Sequence, residues 1–367
     1  MDPGDVASRL LLWYGGAARD LPWRRTRDPY AIWVSEVMLQ QTRVETVIPY
    51  YDAFLARFPN IAALAGAAPD EVKAAWSGLG YYRRASLMHE AARVVCDRHL
   101  GELPSEPEAL GRLPGFGPYT TGAVLAIAFD RPIAAVDGNV ARVLARLSGR
   151  DGTAADKHIR DAATAIMRGD RPGDLAQALI ELGALVCRPR APRCLECPIE
   201  SACRAKAGGF VERIPSAKKR RPTPVIGIAA LVALDHGSLW LERRPERGVF
   251  GGLFFLPTLE ELPGSIDAGA RARAIEIARA RFGLEAKALG ELVHQLTHRR
   301  LEVALFRADG RLDGPSFELV PLPELHKVGL PTLVAKALEG ALTPEEHKNV
   351  RLRRRRTNAL ERSSSVS

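Results

Sequence analysis

The chain has 367 residues, which is enough for two or three domains, and 46% of them are hydrophobic and 26% charged. That is the balance of an ordinary globular protein. No apolar run approaches the about 20 residues that a membrane helix needs, and the N-terminus lacks the basic and apolar regions of a signal peptide. These features exclude a membrane protein, a disordered chain and a disulfide scaffold, and they predict a soluble intracellular protein.

The net charge of +9 is concentrated in two short segments. Residues 1–210 carry 26 Lys and Arg against 24 Asp and Glu, and residues 222–344 carry 14 against 15. Residues 211–221 carry five against one, and residues 345–367 carry seven against three. Because such basic segments are usually solvated, composition alone does not predict nucleic-acid binding.

The first half of the chain is predicted to be helical. Its longest pattern, residues 28–58, begins with Asp-Pro, which favours a helix start, and continues with apolar residues at three- and four-residue steps. Five more segments between residues 105 and 187 repeat this pattern, separated by short turns that contain Gly or Pro.

Within this half, residues 108–129 predict a helix, a Gly-Pro hairpin and a second helix. Gly115 and Gly117 permit backbone conformations that other residues avoid, and Pro118 suits the first position of a helix. Amide groups at such a helix start can bind a phosphate without reading base sequence. A simple interhelical turn is the alternative.

Two carboxylates in the helical half are candidates for chemistry. Asp137 precedes the helical pattern NVARVLARL, so that an N-cap is the simplest interpretation. Glu36 lies among apolar residues in the first long pattern. If it is buried rather than on the surface, its pKa is raised and it can donate a proton near neutral pH.

Four of the five cysteines follow the spacing C-x6-C-x2-C-x5-C and are Cys187, Cys194, Cys197 and Cys203. In a reducing cytosol such a cluster of thiols indicates a metal site rather than disulfides. The spacing suits zinc and an iron–sulfur cluster equally, since both accept four thiolates.

The second half is predicted to be α+β. Residues 214–224 are rich in Pro, Lys and Arg and predict a linker. After it, the runs VIGIAALVAL, SLWLERR, LFFLPT and LEVALFRA predict strands, and AGARARAIEIARARFG predicts one helix. The basic, Ser-rich tail is predicted to be disordered.

Taken together, the motifs resemble those of a known family. LPWR, SEVMLQQT, GLGYYRRA, LPGFGPYTTG, VDGNV, LIELGALVC and the four cysteines occur in this order, as in the MutY-type adenine DNA glycosylases of the helix-hairpin-helix superfamily. The resemblance is close from residue 8 to about 205 and weaker to about 340. It implies an all-α glycosylase region at 1–213, with the hairpin at 108–129 and an iron–sulfur subdomain at 187–203. A basic linker at 214–224, an α+β Nudix-like domain at 225–343 and a basic disordered tail at 344–367 complete the expected organisation.

Tyr119 separates this chain from the bifunctional members of the superfamily. Relatives that resemble endonuclease III carry a lysine at this position, which forms a Schiff base with the sugar, whereas tyrosine cannot. The resemblance therefore implies a monofunctional enzyme of base-excision repair that hydrolyses the N-glycosidic bond of adenine mispaired with 8-oxoguanine or guanine. Thymine-mismatch glycosylases can also carry tyrosine here, and a non-catalytic DNA-damage binding protein is the rival from another class.

The resemblance also assigns roles to individual residues. Glu36 would protonate adenine and later activate water, while Asp137 would stabilise positive charge on the sugar, much as two carboxylates divide these duties in glycoside hydrolysis. Tyr119 and Asn139 would orient them. The expected base pocket consists of Arg19, Leu21, Trp23 and Glu181, although ordinary packing is the alternative for Trp23. The expected DNA contacts are Gln41, Thr42, Leu79, Tyr81, Gly115 and Gly117, of which Leu79 has the same alternative.

For the cysteines the resemblance implies a [4Fe-4S] cluster with no hydrolytic function. In the Nudix-like region, Ala and Arg replace the glutamates that a Nudix hydrolase needs, so no pyrophosphohydrolase activity is expected. Leu296-Thr297-His298 matches the family's Phe-Ser-His loop, so Thr297 and His298 are expected to contact 8-oxoguanine. The expected partner is double-stranded DNA with A:8-oxoguanine or A:G mispairs, bound by a monomer without membrane association; if the source is bacterial, the protein is expected in the cytoplasm, associated with the nucleoid.

Overall fold

The computed structural model describes residues 2–216, 222–350 and 352. They form two compact units, of which the first contains residues 2–66 and 87–216 and the second contains residues 67–86, 222–350 and 352. The units are therefore interleaved along the chain, which the division predicted at residues 214–224 did not anticipate. Within the described residues, no helix is both long enough and apolar enough to cross a membrane.

The first unit is helical, as predicted. Its larger helices pack around a core that draws on α1, α2 and the four helices from α8 to α11. In chain order the helices up to the cysteine segment are α1 (Pro3–Ala17), α2 (Pro29–Leu39), α3 (Val44–Arg57), α4 (Ile61–Gly66), α5 (Pro69–Ala75), α6 (Arg83–Arg98), α7 (Pro107–Gly111), α8 (Pro118–Phe129), α9 (Gly138–Ser148), α10 (Lys157–Met167) and α11 (Pro172–Leu185). Of these, α5 and the first turn of α6 belong to the second unit.

The helical pattern over residues 28–58 folds as two helices. α2 ends at Leu39 and α3 begins at Val44, and Gln41 between them has a positive φ of 56°. Residues 40–43 are Gln-Gln-Thr-Arg, so the apolar pattern is interrupted at this four-residue turn. Nine consecutive residues of α2 are buried, from Tyr30 to Met38, which makes it a central helix rather than an amphipathic surface helix.

The predicted hairpin is present between α7 and α8. Gly115 has a φ of +79°, and a Cβ there would lie 3.0 Å from the Cβ of Leu87, so this position needs glycine. Gly117 instead has an ordinary φ of −83° and is the N-cap of α8. The expectation of special backbone geometry is therefore correct for Gly115 and wrong for Gly117.

The cysteine segment follows α11. It contains two short 3-10 turns, Cys194–Glu196 and Glu200–Ala202, and the one-turn helix α12 (Arg204–Ala207). Cys187, Cys197 and Cys203 pack against the core of the first unit. α11 approaches the start of α9 so closely that a Cβ at Gly183 would lie 2.7 Å from the Cβ of Asn139.

The second unit is a mixed sheet between helices. The strands are β1 (Val225–Asp235), β2 (Ser238–Arg243), β3 (Phe254–Phe255), β4 (Thr258–Pro263), β5 (Lys287–Gln295), β6 (Arg300–Asp309) and β7 (Phe317–Pro321). Strands β1 and β6 are parallel, with Val225 opposite Arg300, and the main strand order is β3-β2-β1-β6-β5. β4 also pairs with β1, and β7 with β2.

The helices of this unit cover both faces of its sheet. α13 (Ala268–Phe282) packs on one face through Ala270, Ala274 and Ala278, and α14 (Thr332–Ala341) packs on the other. The expectation of a single helix here is wrong, because α14 and α15 (Pro344–Asn349) were missed.

The start of the predicted tail is ordered by a helix cap. Thr343 and Glu346 form a reciprocal capping box at the start of α15, so the prediction of disorder is wrong for residues 344–349. Residues 351 and 353–367 of that tail, and residues 217–221 of the predicted linker, lie outside the described residues.

Residues 67–86 are held in the second unit by polar contacts from several positions. Arg243 pairs with Asp70 at 2.6 Å, and the Lys73 ammonium donates to the carbonyl of Gly252 at 2.7 Å. The hydroxyls of Ser77 and Tyr82 both donate to the carbonyl of Leu330, at 2.9 and 2.6 Å. This segment contains the predicted DNA contacts Leu79 and Tyr81.

Candidate active site

A cavity of about 890 Å³ in the first unit brings most of the predicted site residues together. Its walls come from the short 3-10 turn Pro22–Arg24, α2, the turn after α2, the hairpin and the starts of α8 and α9, with α11 closing one side. The predicted residues on its surface are Arg19, Leu21, Trp23, Glu36, Gln41, Thr42, Gly115, Gly117, Tyr119, Asp137, Asn139 and Glu181.

Glu36 is a buried carboxyl group with one strong partner. Its side chain is on the central helix α2, and the Tyr119 hydroxyl donates a hydrogen bond to its Oε2 at 2.7 Å. The pKa of Glu36 is raised to about 7, mainly by burial and additionally by the charge of Asp137, while the Tyr119 hydrogen bond and the charge of Arg24 oppose this rise. The Glu36 carboxyl is therefore poised to carry a proton near neutral pH.

The side chain of Asp137 is held in place by the start of α9. Its Oδ1 accepts the backbone N–H of Val140 at 2.7 Å, so it is an N-cap, and its Oδ2 accepts a hydrogen bond from Asn139 Nδ2 at 2.9 Å. Since a helix start favours negative charge, this carboxylate sits in a different environment from Glu36. In turn, Asn139 Oδ1 accepts from Arg142 at 2.9 Å, and Arg142 donates to the carbonyl of Cys187 at 2.8 Å.

Glu181 lines the cavity, and its carboxylate is already saturated with hydrogen bonds. It is fully buried and accepts bonds from the guanidinium groups of Arg19 and Arg24 at 2.7 to 3.0 Å. Burial alone would raise the pKa of Glu181, but these bonds outweigh burial and lower it to about 2. The negative charge of Glu181 is therefore neutralised by Arg19 and Arg24.

Arg24 is a site residue that the sequence reasoning missed. Besides Glu181, it donates to the carbonyl of Arg19 at 3.0 Å and lies over the ring of Tyr14 at 5.5 Å. The signal was present, because Arg24 is the last residue of the LPWR motif and a buried glutamate needs a cationic partner. Two arginines and one glutamate therefore form one charged group at the cavity wall.

The apolar pocket residues are largely packed. Leu21 is 5% exposed and Trp23 is 6% exposed, and the ring of Trp23 lies edge-on to that of Tyr51 at 5.5 Å. Packing thus accounts for most of the surface of both side chains, while their remaining surface lines the cavity.

The other predicted DNA contacts belong to the second unit. Tyr81 is exposed, has a φ of 49°, and its hydroxyl forms a hydrogen bond with Thr297. His298 is exposed in the turn between β5 and β6, whereas Leu79 is only 6% exposed. Arg84 stacks over the ring of Tyr81 at 5.6 Å, and burial lowers the pKa of Arg84 to about 10.

The four cysteine thiols line one small cavity in the first unit. Burial raises the pKa of Cys197 to about 12, and the charges of the other three thiols add to this effect. Buried thiols of this kind become thiolates when a metal cation neutralises them, so the donor set fits a thiolate-ligated metal group. In the part of the chain that the structure describes, no three or more His, Cys, Asp or Glu side chains are arranged to hold a single metal ion, so the fit rests on the chemistry of four thiols that line one cavity and not on a preformed ligand geometry.

Comparisons with known proteins find a family match for each of the two units. Residues 34–168 match the HhH-GPD superfamily of base excision DNA repair proteins, and residues 229–340 match the NUDIX domain. The adenine DNA glycosylase of Buchnera aphidicola is 30% identical over 349 residues, which cover 91% of this chain and 98% of that protein. The chain belongs to the adenine DNA glycosylase family. This confirms the predicted family, and the helix-hairpin-helix and Nudix-like fold class with it.

Two further matches each cover about half of this chain. The adenine DNA glycosylase of Rattus norvegicus is 47% identical over 220 residues, 56% of this chain and 43% of that protein, so the chain spans less than half the length of this relative. The solved structure of a thermostable thymine-DNA glycosylase is 30% identical with a TM-score of 0.54, and it covers 56% of this chain and 97% of that one.

Proposed function

We propose that this protein is a monofunctional DNA glycosylase that releases adenine from DNA by hydrolysis of the N-glycosidic bond, as a step of base excision repair. The observation that supports this proposal is the meeting of Glu36 and Asp137 in one cavity, in two different environments. Family membership supports the same activity. The DNA would be double-stranded, and the adenine would be mispaired with 8-oxoguanine or guanine.

Glu36 would act as the general acid. Neutral adenine is a poor leaving group, and a proton on the base makes its departure easier. A carboxyl group with a pKa of about 7 holds a proton at neutral pH and can still release it. Because Tyr119 donates to Oε2, it fixes the orientation of the group and leaves Oε1 to carry the transferable proton. The ionised Glu36 that results can then activate water.

Asp137 would stabilise the sugar as the bond breaks. Positive charge develops at the anomeric carbon in an oxocarbenium-like state, as in glycoside hydrolysis. The hydrogen bonds from Val140 and Asn139 hold the carboxylate in one orientation, so that its charge is in place before the reaction starts. Asn139 is therefore a positioning residue.

The base would be bound by the cavity wall near Leu21 and Trp23. Adenine must leave the duplex to reach it, which costs a few kcal/mol. Glu181 would shape this pocket by fixing Arg19 and Arg24, since its own oxygens are occupied by them. This role differs from direct contact of Glu181 with the base, and it makes the arginine side chains the polar groups that face a ligand.

The DNA strands would be held by both units. The hairpin with Gly115 and Gly117 leads into the start of α8, and a helix start suits a phosphate; the turn that carries Gln41 and Thr42 lines the same cavity. In the second unit, Leu79, Tyr81, Thr297 and His298 would contact the duplex at the partner base. The hydrogen bond between Tyr81 and Thr297 supports a joint surface for that base.

The four cysteines would hold a [4Fe-4S] cluster. The donor set of four clustered thiols fits such a group, and Cys187, Cys194, Cys197 and Cys203 would be its ligands. With all four irons ligated by protein, the cluster would hold the segment in shape and would take no part in hydrolysis. Iron and acid-labile sulfide analysis of purified protein, with visible absorbance, tests this assignment against zinc.

Release of thymine is the second candidate, because a solved thymine-DNA glycosylase is 30% identical to this chain. Single-turnover assays on duplexes with A:8-oxoguanine, A:G, T:G and A:T pairs separate the two. We expect adenine release that is fastest opposite 8-oxoguanine or guanine and no thymine release. Release of thymine without adenine would overturn the proposal.

The role of Glu36 is tested by Glu36→Gln, which keeps the shape of the side chain but removes its acid. We expect adenine release to fall by a factor of about 100 to 10,000, with binding to the mispaired duplex retained. Glu108→Gln is the matched control, since the Glu108 side chain is 89% exposed. Equal turnover of the two variants would exclude Glu36 as the acid, whereas binding without any adenine release by the wild type would favour a damage-binding protein.

A further inference from the structure

Arg146 is a buried cation whose partners are all uncharged in this structure. It is 1% exposed, and its guanidinium donates to the carbonyls of Ile214 at 2.7 Å, Arg188 at 2.7 Å and Pro189 at 3.2 Å. Its remaining hydrogen bond, at 3.4 Å, goes to Cys187 Sγ. Among the described residues, no carboxylate forms an ion pair with Arg146.

A buried charge without a counter-charge is expensive. The penalty for moving an unpaired ion out of water is several kcal/mol even after relaxation, and carbonyl dipoles offset only part of it. A second buried guanidinium, that of Arg142, adds to the local positive charge and donates to the carbonyl of Cys187. Their environment therefore calls for an anionic group close to Cys187.

The geometry puts this anionic group at the cysteines. Arg146 and all four cysteines line the same cavity, and the Cys203 sulfur lies 3.4 Å from the backbone carbonyl oxygen of Arg146. Arg146 is thus in contact with two of the four sulfurs, one through its side chain and one through its backbone. Four thiolates around a cluster supply the missing negative charge.

We propose that Arg146 is the counter-charge and hydrogen-bond donor of the cysteine-bound cluster, and that it raises the reduction potential of the cluster. This inference rests on the proposed [4Fe-4S] group. Reduction adds negative charge, which a nearby cation and an N–H···S bond stabilise, since hydrogen bonds to the sulfurs and local charge set the potentials of such clusters. Arg146 acts through Cys187 and is a positioning and tuning residue, not a catalytic one.

The test compares two variants of the full-length protein. Arg146→Gln removes the charge, and Arg146→Lys keeps it with fewer donors. Redox titration followed by visible absorbance or electron paramagnetic resonance should show the potential of Arg146→Gln shifted to more negative values, with Arg146→Lys between it and the wild type. Arg27→Gln is the control, because Arg27 also donates to a backbone carbonyl but belongs to a different ion pair, with Asp174. We expect the cluster of Arg27→Gln to have the same reduction potential as that of the wild type. If Arg146→Gln also titrated with the wild type, the proposal would be overturned.

A measurement on wild-type protein covers the case in which Arg146 variants do not fold. Protein labelled with guanidino-¹⁵N arginine and reduced by irradiation in the frozen state should show a ¹⁵N nucleus magnetically coupled to the cluster. Absence of this coupling in iron-loaded protein would overturn the role of Arg146 and leave the cluster intact. Purified wild-type protein that contains no iron would overturn this inference together with the proposed cofactor, while adenine release would still test the enzyme.

Discussion

The proton on Glu36 links the proposed chemistry to the stability of the protein. Its pKa of about 7 in the folded chain compares with an ordinary value of 4.5. The folded state therefore keeps a proton that the unfolded state has already lost between these two pH values. The stability contributed by this proton is present below pH 4.5, is lost as pH rises to about 7, and amounts to about 3 kcal/mol.

Glu36→Gln should remove this pH dependence, because the amide does not titrate. We expect the stability of the variant relative to the wild type to increase by about 2 to 3 kcal/mol between pH 5 and pH 8. Urea denaturation of both proteins at the two pH values measures it. A difference between the proteins that does not change with pH would contradict a buried, proton-bearing Glu36.

The buried ion pairs of Glu181 with Arg19 and Arg24 should contribute to the stability of the protein. Glu181→Gln leaves Arg19 and Arg24 without their carboxylate, and breaking a buried pair typically costs about 3 to 5 kcal/mol. Asp161→Asn is the control, since Asp161 is 60% exposed in its pair with Lys157 and should cost less than about 1 kcal/mol. Thermal unfolding at pH 7 compares them. Equal melting temperatures would mean that the ion pairs of Glu181 with Arg19 and Arg24 do not contribute to stability.

The sequence left open whether Glu36 is buried or on the surface, and it could not show which groups bind Glu181. The apolar neighbours of Glu36 were compatible with burial, and the structure places it in the central helix α2. Glu181 is separated from Arg19 by 162 positions, and no local pattern shows which cation neutralises it. Its saturation is a property of tertiary packing alone.

At the scale of single elements, the hairpin depends on one of its two glycines. Gly115→Ala puts a Cβ 3.0 Å from Leu87 and at a φ of +79°, so both sterics and backbone resist it. We expect a loss of about 1 to 2 kcal/mol. Gly117→Ala is the matched control, because its φ is −83° and no atom lies within 4 Å of the added carbon.

Thermal unfolding of the two hairpin variants distinguishes these positions. Gly117→Ala should melt close to the wild type, and Gly115→Ala clearly below it. If both variants lost the same stability, the conformation of Gly115 would not be the cause. DNA binding need not follow this order, because Gly117 can matter for a phosphate contact even where the fold tolerates alanine.

Several elements were predictable from pattern, and the failures share a cause. The buried strands β1 and β6 were recognised from their apolar runs, whereas β4, β5 and β7 were missed because their exposed positions are polar or mixed. The turn at Gln40–Arg43 falls on four consecutive polar residues, and Gln41 and Thr42 within it were expected as DNA contacts. Sequence periodicity reports continuously buried strands well and strands with exposed positions poorly.

At the scale of the whole molecule, the chain order and the compact units do not coincide. Residues 67–86 lie early in the sequence but pack in the second unit, through contacts such as Asp70 with Arg243 and Tyr82 with Leu330. Such long-range pairing leaves no signal in a single sequence.

Weakening these contacts should expose the segment that carries Tyr81. Asp70→Asn combined with Tyr82→Phe removes the ion pair to Arg243 and the hydrogen bond to Leu330. We expect faster trypsin cleavage at Arg83 and Arg84, since cleavage follows the population of locally opened chains. Asp161→Asn is the control. Unchanged cleavage, read by mass spectrometry, would show that other contacts suffice to hold the segment.

The interleaving of the units also limits how this protein can be rearranged. A chimaera joined at residues 214–224 would inherit residues 67–86 from one parent and their packing surface from the other. The carbonyl of Leu330 and the side chain of Arg243 would then meet foreign partners. Transplanting the Nudix-like part onto another glycosylase would succeed only if this early stretch of chain travelled with it.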